Sequence, residues 1–501
     1  MSDRSAMSDR SATSDRSATT QPSATTQQAA TPQPSAAPHP HRVERRRPIT
    51  LPTLRRRTVP APDGAHWPHV VVVGGGFAGA NAVLGLKDTK VRITLIDRNL
   101  YKTFQPLLYQ VATAGLNPGD VTMMLRGLSL KVPNMRFRQG VVTGVDPQAK
   151  TVTVEGASEP WTLAYDYLVL ANGATTTFFG TPGAEENAMP MYTRAQALRI
   201  RDRIFAELER TSRAGDGDRL SVSVVGGGPT GVEIAGALAD FRRQELDILY
   251  PEMDPGTLRI RLIQRGTELI KEFDPGLREY AADELEARGV ELSLGHGVKS
   301  VGYDYVELDD GSILESDITV WAAGVAIPDC VADWGLPQVK GGRLDVEEDL
   351  QVKGFPGVYA AGDMAAQADP LPQLAQPAIQ TGCHVAEMIH ADVHGGAHKP
   401  FRYKNLGTMA TIGRRAAIAD IPGVGRLTGT AGWFAWLGVH VAKLLGHRNR
   451  RAVTMNLLSL YTGTRSTHQP NPILGDIDSV AAQREFENHA GDRKFGPGHL
   501  S

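Results

Sequence analysis

Two glycine fingerprints of one type, about 150 residues apart, constrain this chain more than anything else in it. Val70-Val71-Val72-Val73-Gly74-Gly75-Gly76-Phe77-Ala78-Gly79 is answered by Val222-Ser223-Val224-Val225-Gly226-Gly227-Gly228-Pro229-Thr230-Gly231. Each is an apolar run of strand character that turns through G-x-G-x-x-G into a helix. Gly74 and Gly226 make the tight turn, Gly76 and Gly228 let backbone approach a pyrophosphate, and Gly79 and Gly231 let helix pack closely on strand. A diphosphate then sits on free N–H groups at the positive end of the helix. One such match is weak, since a glycine-rich turn without a ligand reads the same way. Two of them, each preceded by β-branched residues, point to two bound dinucleotides.

The residue that closes the next strand separates the two. After the first fingerprint, Val91-Arg92-Ile93-Thr94-Leu95-Ile96 ends in Asp97, 23 residues past Gly74. A carboxylate there accepts both hydroxyls of an adenosine ribose. After the second, Leu258-Arg259-Ile260-Arg261-Leu262-Ile263 ends in Gln264 and Arg265, with no acid. A neutral amide neither repels a 2′-phosphate nor forbids a 2′-hydroxyl, so NADH, NADPH or both fit. Arg265 pointing into solvent is an equally good reading of that side chain.

Composition narrows the chemistry. With 501 residues, 41% of them hydrophobic, 22% charged, and a net charge of −2, the chain is globular, of about three domains, and shows no sign of binding nucleic acid. Its two cysteines, Cys330 and Cys383, form no C-x-x-C pattern. They indicate a reducing compartment, exclude a cysteine-built metal cluster and leave no metal site expected. They also remove disulfide reductases, which need a cysteine pair beside their flavin. Residues 1–66 are set apart: six-residue repeats rich in Ser, Thr, Gln, Pro and Ala are followed by seven arginines against one Glu from His41 to Arg57. Such a segment buries too little apolar surface to offset its ordering entropy, and is expected to be disordered.

The remaining strands suggest one domain split by another. Tyr167-Leu168-Val169-Leu170-Ala171-Asn172-Gly173-Ala174 and Ile318-Thr319-Val320-Trp321-Ala322-Ala323-Gly324 each follow their own fingerprint by about 95 residues, as an internal duplication requires. Val358-Tyr359-Ala360-Ala361-Gly362-Asp363 has no fingerprint of its own and most simply returns to the first domain, where Asp363 reaches a ribityl chain. A Gly-Asp after a strand is also an ordinary turn. The expected class is α/β, with two Rossmann-like domains, the second inserted in the first. Its boundaries are 67–190 and 318–430 for the first domain, which the resemblance given below makes FAD-binding, 191–317 for the second, NAD(P)H-binding domain, and 431–501 for a C-terminal region and tail, membrane-associating on the grounds given below.

The fingerprints, the Y-D-Y-L-V-L-A-N-G-A and T-V-W-A-A-G segments and Ala360-Ala361-Gly362-Asp363 resemble the two-dinucleotide-binding-domain flavoproteins, the pyridine nucleotide-disulfide oxidoreductase-like superfamily. Three further segments narrow the resemblance to type II, non-proton-pumping NADH:quinone oxidoreductases: Phe104-Gln105-Pro106-Leu107-Leu108-Tyr109-Gln110-Val111-Ala112, Ala375-Gln376-Pro377-Ala378-Ile379-Gln380-Thr381-Gly382 and Met409-Ala410-Thr411-Ile412-Gly413-Arg414. It runs from about Val70 to Tyr461. Two positions depart: Gln264 replaces the acid usual for NADH preference, and Asn172 stands where Thr is common.

The resemblance implies FAD over Gly74, Gly76, Gly79 and Asp97, with Gly362 and Asp363 near its ribityl-phosphate end. It implies NADH, with NADPH permitted, over Gly226, Gly228, Gly231, Gln264 and Gly324. Hydride then passes to flavin N5 and two electrons pass to a quinone. Glu233 matches the family's acid at the flavin–nicotinamide contact, to orient the carboxamide or relay a proton, although a Glu near a helix start also serves as a cap. Gln376 and Gln380, at i and i+4 of an expected helix, offer amides to quinone carbonyls, or bond to backbone.

A quinone lives in a bilayer, yet no run of 18 apolar residues is present. Trp433–Leu445 followed by the basic His447–Arg451 instead suggests an interfacial amphipathic helix, with His440, Lys443 and His447 on one stripe. The expected enzyme is peripheral on the cytoplasmic face of the cell membrane, with a homodimer compatible. The alternative is a soluble FAD-dependent NAD(P)H reductase with another electron acceptor.

Overall fold

The valine run opening each fingerprint forms the central strand of its own parallel sheet, which is where β-branched residues buried on both faces belong. The structure is a computed structural model, and it describes residues 67–462 except 157–158, 215–217 and 445. The expected disordered segment at 1–66 and the tail beyond 462 lie outside the described residues.

In the first sheet, β1 (His69–Val73) pairs with β2 (Arg92–Asp97) on one side and with Tyr167–Leu170 on the other. Met135–Gln139 and Val358–Ala360 complete the five-stranded parallel sheet at its two edges. The second sheet repeats this order. Its β3 (Leu220–Val225) lies between β4 (Leu258–Gln264) and Ile318–Trp321, with Glu291–Leu294 and Ala188–Pro190 at the edges. Val358–Ala360 therefore does return to the first sheet. Sheet pairing shifts the boundaries drawn at 190/191 and 317/318, because Ala188–Pro190 and Ile318–Trp321 both belong to the second sheet. Two-residue strands at Thr175–Thr176 and Val325–Ala326 pair antiparallel where the chain passes between the units.

Helix α1 (Phe77–Gly85) follows β1, and α2 (Pro229–Gln244) follows β3. Pro229 at the first helical position leaves no orphan N–H there. The long α3 (Ala375–His394) lies against α1 so closely that a Cβ on Gly382 would come within 2.2 Å of the Ala78 carbonyl oxygen. A C-terminal strand, β5 (Thr408–Gly413), crosses α2 at Gly236, where a Cβ would meet the Ile412 carbonyl oxygen at 1.8 Å. Two cores result. Val70–Val73, Leu95, Leu168 and Val169 center the first, and Leu220, Val224, Leu262 and Val320 the second, all of them buried. Each such side chain contributes roughly 1.5–3 kcal/mol by leaving water.

The chain ends in α4 (Gly429–Lys443) and α5 (His447–Thr462). No described helix is long and apolar enough to cross a membrane. The polar stripe expected along α4 is not formed. Trp433 and Trp436 are buried, and His440 is turned inward, stacked on Trp436 at 4.3 Å with Nδ1 2.7 Å from the Trp436 carbonyl. The apolar side chains left exposed are Phe434, Val439, Met455 and Leu458, beside the exposed Lys443, Arg448 and Arg451.

Candidate active site

The two fingerprints fold into cradles built the same way. Gly74 takes φ +95° and Gly226 φ +115°, conformations that side chains rarely adopt. A Cβ on Gly74 would strike the Ala171 carbonyl oxygen at 2.3 Å, and one on Gly226 the Ala322 carbonyl at 2.8 Å. Gly79 and Gly231 approach the carbonyl oxygens of Gly74 and Gly226 so closely that a Cβ would lie 1.8 Å from each. Gly76 and Gly228 face open space and cap their helices with no side-chain hydrogen bond, so the first-turn N–H groups are left for a ligand.

The strand-end residues occupy matching places. Asp97 Oδ2 accepts from the Gly75 N–H at 2.7 Å, and Gln264 Oε1 accepts from the Gly227 N–H at 3.0 Å. Both therefore brace the glycine loop, a task the sequence did not reveal. Asp97 Oδ1 accepts from Asn99 N at 2.7 Å. Burial pushes the Asp97 carboxyl above its ordinary range, with the Asn99 and Gly75 N–H groups opposing. Arg265 is exposed.

The first cradle fits FAD. Besides the open helix N-terminus, the Asn172 Oδ1 beside Gly74 is buried without a partner, and so is Arg343 Nε. Arg343 is the cation that opposes the burial-raised pKa of Asp363. Tyr192 donates its hydroxyl to Asp363 Oδ2 at 3.5 Å. Gly362 donates its N–H to Thr381 Oγ1 at 2.9 Å, which ties the A-A-G-D turn to the start of α3, another helix without a side-chain cap. In the second cradle the Phe179 ring lies over Gly324, its Cζ 2.1 Å from where a Cβ would stand. A nucleotide reaching Gly324 must therefore meet Phe179 first.

Three motifs far apart in the chain converge on Glu233. Its Oε1 accepts from the Thr411 N–H at 3.4 Å, across 178 residues, and not from its own helix N-terminus. The cap reading of Glu233 therefore has no hydrogen bond behind it. The carboxyl is enclosed although the residue as a whole is half-buried, and loss of water raises its pKa to about 8, against the pull of Thr411 and the nearby Trp436 indole. The Glu233 carboxyl therefore keeps its proton at neutral pH. It borders a cleft lined also by Tyr109 and Gln110, Asp240 and Glu245, and Thr411. Asp240 is paired with Arg288 at 2.6 Å.

Gln376 and Gln380 both lie on the first turns of α3, half-buried. Gln380 closes a two-bond ring with the Lys404 backbone, donating to its carbonyl at 2.9 Å and accepting from its N–H at 3.0 Å. Its amide is thereby fixed to a neighbouring loop, as the backbone-bonding alternative had it. Sequence reasoning missed Tyr192 and Arg343, and it gave no place at this site to Thr411, Trp436 and His440, although the M-A-T-I-G-R motif holds the first of these and the Trp433–Leu445 segment the other two.

The pyridine nucleotide-disulphide oxidoreductase family matches residues 68–382, and the NDH2 C-terminal domain matches 405–465. The type II NADH:quinone oxidoreductase Ndh of Mycobacterium tuberculosis is 34% identical over 411 residues, covering 79% of this chain and 88% of that protein. The chain belongs to the type II NADH:quinone oxidoreductases. A second protein of that organism, the type II NADH:quinone oxidoreductase NdhA, is 36% identical over 409 residues, covering 78% of this chain and 86% of the relative. The fold is shared with NDH2 of Plasmodium falciparum, solved in complex with NADH, at a TM-score of 0.75 and 21% identity over 81% of this chain and all of that one. As a type II enzyme, this protein is a membrane-peripheral flavoprotein that uses FAD and NADH and pumps no protons.

Proposed function

We propose that this chain oxidises NADH, and NADPH measurably, on one face of a flavin and delivers the two electrons to a membrane quinone, on the cytoplasmic face of the cell membrane. The observation that carries this reading is the pair of matching cradles, one ending in Asp97 and the other in Gln264, that belong to a single unit around the enclosed acid Glu233. FAD supplies the redox chemistry when bound, taking a hydride and releasing electrons to an acceptor. Gly74, Gly76, Gly79 and Asp97 hold its ADP half, and Gly362 and Asp363 its ribityl end. Gly226, Gly228, Gly231 and Gln264 hold the nicotinamide dinucleotide, with Gly324 at its far end under Phe179.

Glu233, neutral at pH 7, donates to the nicotinamide carboxamide or holds the proton that a reduced quinone takes up. Gln376 donates to a quinone carbonyl, while Gln380 fixes the 404 loop beside it. Phe434, Val439, Met455 and Leu458 enter the headgroup region, with Arg448 and Arg451 on anionic lipid. A homodimer belongs to the same reading, each copy carrying a complete pair of cradles. The test is anaerobic mixing of the purified protein with NADH and then a short-chain quinone, followed at the flavin absorbance. Bleaching by NADH and recovery with quinone are expected; bleaching without recovery would move the enzyme to another acceptor.

A further inference from the structure

Lys102 stands out among the buried charges. It is 6% exposed, its side chain has no ion pair or hydrogen bond among the described residues, and its ammonium lies over the face of the Phe77 ring, 4.2 Å from the centroid. A cation–π contact offsets a small part of what burying a full charge costs. Burial alone pulls its pKa down to about 7, and no carboxylate opposes that shift. The groups around it give no anion. Phe104 packs edge-on to Phe77 at 5.7 Å, and His440, edge-on to Phe104 at 6.2 Å, is itself kept neutral by burial. On its own strand, Tyr101 carries the Arg194 guanidinium at 5.0 Å, a second cation.

Its position supplies the missing partner. Lys102 lies five residues past the ribose-holding Asp97, on the segment that leads to Phe104 and Gln105. Phe77, under the ammonium, is the first residue of α1, the helix whose bare N-terminus faces the dinucleotide. A buried charge without a protein partner, placed there, has its counter-charge on the ligand. We propose that Lys102 is a FAD-binding residue whose ammonium pairs with negative charge on the bound dinucleotide. This rests on the first cradle holding FAD. The charge has two sources on one molecule: the diphosphate, or the pyrimidine edge of the flavin ring, which gains negative charge on reduction.

The test uses the full-length protein, with and without FAD, as wild type, K102M and K102R. In K102M the melting temperature without FAD rises, because an unpaired buried charge is gone, while the increment produced by FAD shrinks. FAD affinity falls by about tenfold to a hundredfold if the diphosphate is the partner, and ADP affinity falls with it. If the ring edge is the partner, ADP binding is kept and the midpoint potential of bound FAD drops. K102R retains FAD affinity within a few fold. A K102M protein that melts lower without FAD and binds FAD with unchanged affinity and potential overturns the proposal and makes Lys102 a packing strut. Should K102M fail to fold, K102Q is read by the same measurements. Wild-type protein that does not bind FAD would instead overturn the assignment of the first cradle.

Discussion

The two cradles share a backbone and differ in a few side chains, and those side chains divide the work. At the strand end, the first has the charged acceptor Asp97 and the second the neutral Gln264, each accepting from the middle glycine N–H. Two residues past the last glycine, the first has Asn81, which donates to the Phe77 carbonyl of its own helix at 2.7 Å. The second has Glu233, which reaches across to Thr411. The first cradle thus bonds within its own helix, whereas the second reaches across to a neighbouring segment. In the proposed reading the first holds the resident flavin, and the second, with its neutral acceptor, exchanges its ligand each turnover.

The largest expected effects come from the glycines common to both. Gly79→Ala and Gly231→Ala each drive a Cβ to 1.8 Å from a carbonyl oxygen. Gly79→Ala should purify without FAD. Gly231→Ala should keep FAD but reduce it with NADH at least about a hundredfold more slowly, a loss of roughly 3 kcal/mol. Yellow, slow protein in the second case and colourless protein in the first would establish that the cradles serve different ligands. Equal loss of flavin in both would break the division.

Next in size is Asp97→Ala. It removes the ribose contacts, on the order of 1.5–3 kcal/mol each, and also strands the Gly75 N–H. Retained FAD should be lost on purification, whereas Asp97→Asn, which still accepts from Gly75, should retain part of it. Bound flavin after gel filtration measures both, and a fully yellow, active Asp97→Ala protein would sink the assignment.

Gln264→Glu converts the second strand end toward the first. A carboxylate there still accepts from Gly227 but repels a 2′-phosphate, so the ratio of kcat/KM for NADH over NADPH should rise roughly tenfold or more. An unmoved ratio would mean that position 264 does not face the ribose.

The smallest expected effect is on stability. The Glu233 carboxyl has a folded pKa of about 8 against an ordinary 4.5. Between those values the folded state keeps a proton that the unfolded state has released, so the contribution of Glu233 to stability falls as pH rises from 4.5 to 8. Glu233→Gln should flatten this part of the melting-temperature profile, retain FAD and slow its reduction a few fold. A profile parallel to wild type would place the carboxyl in water.

What the residues alone determined is local. A tight turn at φ > 0, a helix start and a strand end lie within a few bonds of one another, so G-x-G-x-x-G and the strand ends at Asp97 and Gln264 could be read along the chain, and the return of Val358–Ala360 to the first sheet followed from its having no fingerprint of its own. Helix α4 could be read as amphipathic for the same reason, but not which side of it was which. That His440 turns onto Trp436, that Gln380 is fixed to Lys404, that Ala188–Pro190 and Ile318–Trp321 join the second sheet, and that Lys102 is shut away over Phe77 were all decided by tertiary structure. The physical reason is that burial and desolvation depend on what packs from elsewhere. Glu233 becomes a neutral acid because the folded chain takes its carboxyl out of water, against the pull of the N–H of Thr411, 178 residues away, and no spacing within the G-P-T-G-V-E motif encodes that.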